Sequence, residues 1–319
     1  MAVFSTETSS DDPRIHVSYS QLVRLQAYAG QFSFLPSLKA KNAFSGRHQS
    51  TLRGRGLNFE ELRHYQLGDD IRNLDWKVTM RTGKPHVRSY TEEKDRNIIL
   101  CVDQRSNMFF SSVEVMKSVV AAETAALCAW QVLKERDRVG MLLMSDEHLT
   151  SFKPTRSQHQ LLNWLQQLTT INQALSVSSQ SQPQQSLPQM VQRLARMHLR
   201  SSTIVILSDW LDASEDTFTH LKHLQQHNDV LSVMITDPLE ARLPELAGSQ
   251  SWVLGDGEYQ LNLSAKSQFE KANDELTQQL EQKREWLLEL MVVKRLPYIE
   301  LNTSGSHLNQ LRHAIGGRV

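Results

Sequence analysis

Four short apolar runs mark the middle of the chain: Asn97 to Asp103 (NIILCVD), Arg138 to Met144 (RVGMLLM), Thr203 to Ser208 (TIVILS) and Val230 to Thr236 (VLSVMIT). Each is almost continuous in Val, Ile and Leu and does not alternate with polar residues. That is the pattern of a strand covered on both faces, and it predicts parallel strands in a buried sheet. Helical segments separate them: Val113 to Glu135, rich in Ala and Leu; Ser157 to Leu168, with Leu161, Leu162, Leu165 and Leu168 at helical spacing; Pro188 to Met197; and Ala213 to His227. Strands alternating with helices imply right-handed crossovers and an α/β fold, a doubly wound, mostly parallel sheet. Thr169 to Gln185 breaks this rhythm, being Ser- and Gln-rich with Pro183, and reads as a mobile loop.

Farther on, Trp252 to Leu254 and Tyr259 to Leu263 flank Gly255-Asp256-Gly257 and predict a hairpin. A long helix from about Ala265 to Val293 carries the stripe Phe269, Ala272, Leu276, Leu280, Leu287 and Met291, which would dock it on its own sheet. Tyr298 to Leu301 and His307 to Ile315 complete the pattern as a last strand and helix. The first 96 residues differ. A helix at Ser18 to Ala29 leads into a basic, extended stretch, Lys39 to Arg55, and then into dense mixed charge. The chain thus divides into a smaller N-terminal region, 1–96, and a larger domain, 97–319.

Charge narrows the function classes. Lys plus Arg and Asp plus Glu both number 35, so no overall field favours nucleic acid, although Arg47, Arg53 and Arg55 form a local basic patch. Met1 to Arg14 is polar and acidic, unlike a signal segment, and no run approaches the roughly 18 apolar residues of a membrane span. A cytoplasmic protein without a transmembrane segment is expected. Cys101 and Cys128 sit in apolar runs and read as core residues. The 12 histidines show no zinc-type spacing, and no phosphate-binding glycine loop or G-x-S-x-G elbow occurs.

The stretch from Arg53 to Lys94 interleaves acids and bases closely enough to pair with one another, and Trp76 beside Asp75 could anchor it on a core. Within it, Glu61-x-Arg63-x-Tyr65-x-x-Gly68-Asp69-x-x-Arg72-x-Leu74-Asp75-Trp76, followed by Arg81, Gly83 and Glu92, resembles the signature of the domain-of-unknown-function 58 family. That resemblance implies association with MoxR-type AAA+ ATPases. It also implies a fold similar to von Willebrand factor A domains, whose adhesion site holds a metal ion at the carboxyl ends of parallel strands. There an Asp-x-Ser-x-Ser motif, a Thr from a later loop and an Asp ending a central strand supply hard oxygens suited to Mg²⁺.

Carried over to this chain, the first Asp is Asp103, the last is Asp209, and Ser186 stands where the Thr would be. The two serine positions hold Arg105 and Asn107, and Ser106 is one residue out of register. A guanidinium offers no acceptor and stays protonated. The expectation is therefore a degenerate adhesion site in which Arg105 pairs with Asp103 or Asp209 and replaces the metal. Weak Mg²⁺ binding on Asp103 and Asp209 is the competing outcome. The expected function is a non-enzymatic adaptor that binds a protein, a MoxR-type AAA+ ATPase, in the assembly or maturation of client complexes. The alternative is a metal-dependent hydrolase built on Asp103, Asp209 and Asp212, for which no His or Glu nominates itself as a base.

Overall fold

The computed structural model describes residues 12–30, 57–66, 69–92, 96–176, 184–241, 252–255, 260–263, 278, 281–282, 284–293 and 295–315. These fall into two units, one drawn from 1–41 and 96–319, the other from 42–95.

The larger unit is built on a mixed six-stranded sheet. Numbering elements along the whole chain, its strands are β3 (Asn97–Asp103), β4 (Arg138–Met144), β5 (Leu149–Thr155), β6 (Ser202–Ser208), β7 (Asp229–Thr236) and β10 (Tyr298–Asn302), in the order β10-β7-β6-β3-β4-β5. All neighbours are parallel except β4 and β5. The four strands expected from apolar runs are present, and β5 is an addition. Its sequence, LTSFKPT, is half-exposed, and Pro154 within it suits an edge strand that need not donate to a further neighbour. The pairing shifts register between Val139 and Met141, where a Cβ on Gly140 would lie 2.8 Å from Ile99 Cδ1.

Alternate strand residues feed two cores. Ile98, Leu100 and Val102 join α3 (Lys117–Lys134), α4 (Gln158–Gln173), α1 (Tyr19–Arg24) and the last helix (His307–Ile315) on one face. Ile99 and Cys101 join α5 (Leu187–Arg196), α6 (Glu215–Gln225) and the helical stretch 284–293 on the other. Helices on both faces make the sheet doubly wound, as the apolar runs predicted. Cys101 and Cys128 therefore lie in different cores, both buried, and burial pushes both thiols up. α3 is buried almost all round, from Lys117 to Val132. It is covered partly by α1, whose Leu22 carbonyl accepts from Trp130 Nε1 at 3.0 Å.

Three readings need correction. Thr169 to Gln173 is the last turn of α4 and not loop; Ser157 caps that helix at its start. The N-terminal helix belongs with the sheet, so the 1–96 region does not hold together as one piece. Trp76 is 62% exposed and anchors nothing among the described residues. The basic stretch 39–55 and the larger part of the 265–293 helix lie outside the described residues. Leu287 and Met291 of its stripe are buried in the second core. The expected hairpin is present as β8 (Trp252–Gly255) against β9 (Gln260–Leu263).

The smaller unit is an antiparallel pair, β1 (Leu57–His64) and β2 (His86–Glu92), joined through α2 (Trp76–Thr82). Two acid–base pairs form among its described residues, as the interleaving suggested. Arg63 forks onto Asp69 at 2.8 and 2.6 Å, and that guanidinium holds the Asp69 carboxyl below its ordinary range. Asp75 caps α2 by accepting from Val78 N at 3.1 Å, and Arg88 Nε reaches its other oxygen at 2.8 Å. Gly83 closes the helix at φ 69°, a left-handed turn that favours glycine. Asp75→Ala removes both the cap and the partner of Arg88. It is expected to abolish amide exchange protection in α2 while leaving that of β3 and β6 unchanged.

Candidate functional site

The chain leaves β3 toward β4 on one side and re-enters the sheet as β6 on the other. Loops from the carboxyl ends of β3 and β6 therefore diverge at the point where ligands usually bind in open α/β sheets. Asp103 ends β3, and Asp209 follows the last residue of β6.

Arg105 fills this corner. It is 2% exposed, and all five of its guanidinium N–H groups have acceptors. Nε and Nη2 donate to the two oxygens of Asp103 at 2.9 and 2.6 Å. Nη1 and Nη2 donate to the two oxygens of Asp212 at 2.7 and 3.1 Å, and Nη1 also reaches the Gln185 carbonyl at 3.3 Å. The guanidinium thus forks onto two carboxylates at once. Ser208 Oγ donates to Asp103 at 2.8 Å, and Leu187 N donates to Asp212 at 2.8 Å.

Asp209, the other carboxylate considered for Arg105, is paired with Lys117. Lys117, at the start of α3, is 1% exposed and places Nζ 3.1 Å from Asp209 Oδ2 and 2.5 Å from Glu240 Oε1. Asn107 Nδ2 donates to the same Asp209 oxygen at 2.9 Å, and Leu211 N to the other at 3.2 Å. Arg105 therefore pairs with Asp103 and Asp212, not with Asp209. What turns the chain here is Trp210, buried, in the left-handed region at φ 60°. A bulky residue held there stores strain of about 1–3 kcal/mol. Its stacking on Phe218, centroids 6.0 Å apart, and its indole bond to the Val233 carbonyl hold it in place.

Ser186 is not among the groups brought together. Its oxygen accepts from Gln189 N and caps α5. Ser106 points to Asp146, which accepts from both its N and Oγ. Lys117, Ser208 and Glu240 escaped the sequence reading. The available signal was Lys117 itself, a cation opening the Ala- and Val-rich first half of an 18-residue helix. Of the family-signature residues, Arg63, Tyr65, Asp69, Arg72, Asp75, Trp76 and Arg81 lie in the smaller unit, as do the strand positions Glu61 and Glu92. Gly68 lies outside the described residues.

The oxygens of Asp103 and Asp209 are all engaged by protein donors, so this donor set does not fit a divalent ion without displacing Arg105 and Lys117. Within this cluster Asn107 Oδ1 is buried and has no partner among the described residues. A single neutral acceptor cannot replace carboxylate oxygens for Mg²⁺. Burial pushes the Asp103 carboxyl up, against the pull of Arg105. Burial works against the Lys117 ammonium, yet Asp209 and Glu240 outweigh it and raise its pKa.

Beside this corner Asp237 accepts from Ser112 Oγ, from Thr303 Oγ1 at 2.6 Å, and from the N–H groups of Ser112 and Leu239 at 2.8 and 2.9 Å. Burial opposes its charge, but these donors outweigh it and hold its pKa below 3.8. A depressed folded pKa adds stability above the ordinary value, and that stability is lost as pH falls through the folded one. The urea midpoint of the native chain is expected to drop more between pH 6 and pH 3 than that of Asp237→Asn. Equal drops would remove Asp237 from the acid limb.

Sequence comparison places these residues in a wider group. The model of the family described as "Protein of unknown function DUF58" matches residues 61–285. The uncharacterized proteins Mb1516 of Mycobacterium bovis and Rv1480 of Mycobacterium tuberculosis are each 26% identical over 208 residues, 65% of this chain. The match spans 64% of those relatives' own length. Among solved structures, a conserved hypothetical protein BatB from Bacteroides thetaiotaomicron overlaps 69% of this chain and 97% of its own, at 14% identity and TM-score 0.39. An uncharacterized membrane spanning protein from Vibrio fischeri overlaps 70% and 98%, at 14% identity and TM-score 0.22. Overlaps at those scores bear no weight here. Among the described residues no helix is long and apolar enough to cross a membrane.

Proposed function

This chain belongs to the DUF58 family, and on that footing we propose that it is a protein-binding adaptor whose docking face is the sheet end around Asp103, Arg105, Asp209 and Lys117. One observation supports this most: two buried protein cations stand between carboxylates at the carboxyl ends of β3 and β6. In an A-type adhesion domain a divalent ion would occupy that place. Built-in cations would keep the loops after β3 and β6 in a fixed arrangement without metal, leaving shape and rim residues to recognise a partner. The likeness to von Willebrand factor A domains, the choice of a MoxR-type AAA+ ATPase as partner and a cytoplasmic setting are all parts of this proposal. The likeness and the partner come from the family's associations, and a shared fold does not by itself fix a function. A hydrolase on Asp103, Asp209 and Asp212 is disfavoured because Arg105 and Lys117 already engage all three carboxylates.

The test is capture of partners on the full-length chain followed by mass spectrometry. The native chain is expected to recover a MoxR-type ATPase. Leu211→Glu, on the exposed rim beside Asp209, is expected to lose it while keeping the native unfolding midpoint. Recovery of no AAA+ protein by the native chain overturns the partner, and equal recovery by the variant overturns the docking face. Calorimetric titration of the native chain with Mg²⁺ or Mn²⁺ is expected to give no micromolar binding; such binding, abolished by Asp209→Ala, overturns the metal-free account.

A further inference from the structure

Next to the Asp209 corner, at the carboxyl ends of β6, β7 and β10, lies a cavity of about 420 Å³, within the size range of small-ligand sites. Its apolar lining comes from Leu211, Met234, Pro238 and Leu287. Its charged lining is mostly acidic, with Asp209, Asp237, Glu240, Glu281 and Glu300 against Arg284. Among the described residues two cations answer these five carboxylates, Lys117 on Asp209 and Glu240, and Arg284 on Glu300. A concave, low-dielectric site with unbalanced charge focuses its field on ions of the opposite sign.

We propose that this cavity receives an arginine or lysine side chain of a protein partner, its methylenes on the apolar lining and its charged head between Glu281 and Glu300. The inference rests on the adaptor reading and names the chemistry of the contact. Long basic side chains suit a site with an apolar stem region and a charged rim.

Two features support that occupant over a simple acidic surface. The wall of the same cavity already binds an alkylammonium, since Lys117 lies between Asp209 and Glu240 with Nζ 5.6 Å from the Phe110 ring centroid. The outer carboxylate is held by a replaceable cation beside the Thr236 hydroxyl, which donates to Glu300 Oε1 at 3.2 Å. A single nitrogen, Arg284 Nη2, contacts both oxygens of Glu300 at 2.8 and 2.7 Å, and Arg284 is about half exposed. Exposed pairs of that kind are weak, so an incoming guanidinium can exchange with Arg284. The inner carboxylates are committed elsewhere. Asp237 is saturated by Ser112, Thr303 and Leu239, which leaves the rim pair to meet the head group.

The experiment is a methyl chemical-shift titration of the full-length chain with acetyl-Ala-Ala-Arg-Ala-Ala-amide. Controls are the same peptide with neutral citrulline for arginine, and free spermidine. The arginine peptide is expected to shift the methyls of Leu211, Met234 and Leu287. Its apparent Kd should rise at least tenfold with citrulline, and likewise in Glu281→Lys, an exposed change that leaves the core intact. Glu300→Gln provides a second variant with the same expected direction. Equal binding of the citrulline peptide, shifts mapping elsewhere, or indifference to both variants overturns the proposal. Spermidine giving the same shifts at the same concentration reduces the site to general cation attraction and overturns it as well. Peptide binding without capture of an AAA+ protein refutes the named partner and leaves the pocket standing. Capture that survives Glu281→Lys refutes the pocket as the contact.

Discussion

Replacing Arg105 with methionine is expected to lower the stability of the larger unit by about 3–5 kcal/mol, the cost of leaving one member of a buried ion pair without its partner. The side chain that loses its partner is Asp103, fully buried, which would keep only Ser208 and the Arg105 backbone N–H as donors. Asp212, a third exposed, can turn to water and adds less. Denaturant unfolding followed by tryptophan fluorescence measures the loss. Asp103→Asn combined with Arg105→Met removes the stranded charge and should recover part of it. A loss under about 1 kcal/mol, typical of exposed pairs, would show that Arg105 does not hold this corner together.

Lys117→Met should have the second largest effect, again about 3–5 kcal/mol by the same reasoning. Methionine preserves the stem that packs in α3 but strands Asp209, which is buried and left with Asn107 Nδ2 and Leu211 N. Glu240, on the rim, is partly exposed and less affected. The double change Lys117→Met with Asp209→Asn separates charge from packing. If the charge argument holds, the pair is milder than the sum of the single changes, as for residues that share one interaction. Strict additivity would mean that Lys117 acts by packing alone.

The parallel strands were legible because burial on both faces leaves no polar alternation in runs such as NIILCVD and TIVILS. The edge strand β5 was not, since a half-exposed strand carrying Lys153 and Pro154 looks like a loop. In the smaller unit the pairing of acids with bases could be anticipated, but the specific partners could not: Asp69 returns to Arg63 from beyond β1, and the Leu74–Val87 bridge brings Asp75 to Arg88. Within the site, Asp103, Arg105, Asn107 and Asp209 could be nominated by the resemblance to an adhesion-site motif. The partner choice could not. Asp212 reaches Arg105 only because the chain reverses at Trp210 in a left-handed turn that a tryptophan does not advertise. Lys117 comes from a helix start remote in sequence from Asp209. Ser186 was misplaced by its neighbourhood: Gln185 on one side and Leu187 on the other reach the cluster through backbone groups, while the serine hydroxyl turns back to cap its own helix.

The central claim is that protein cations, not a divalent ion, hold the carboxylates at the carboxyl ends of β3 and β6. Crystals of the native chain grown with Mn²⁺, measured for anomalous scattering at the manganese edge, test it most directly. The account predicts no manganese peak between Asp103 and Asp209, with the Arg105 guanidinium bridging Asp103 to Asp212 and Lys117 Nζ on Asp209. A manganese peak bonded to both aspartates, with Arg105 swung out to solvent, would contradict it.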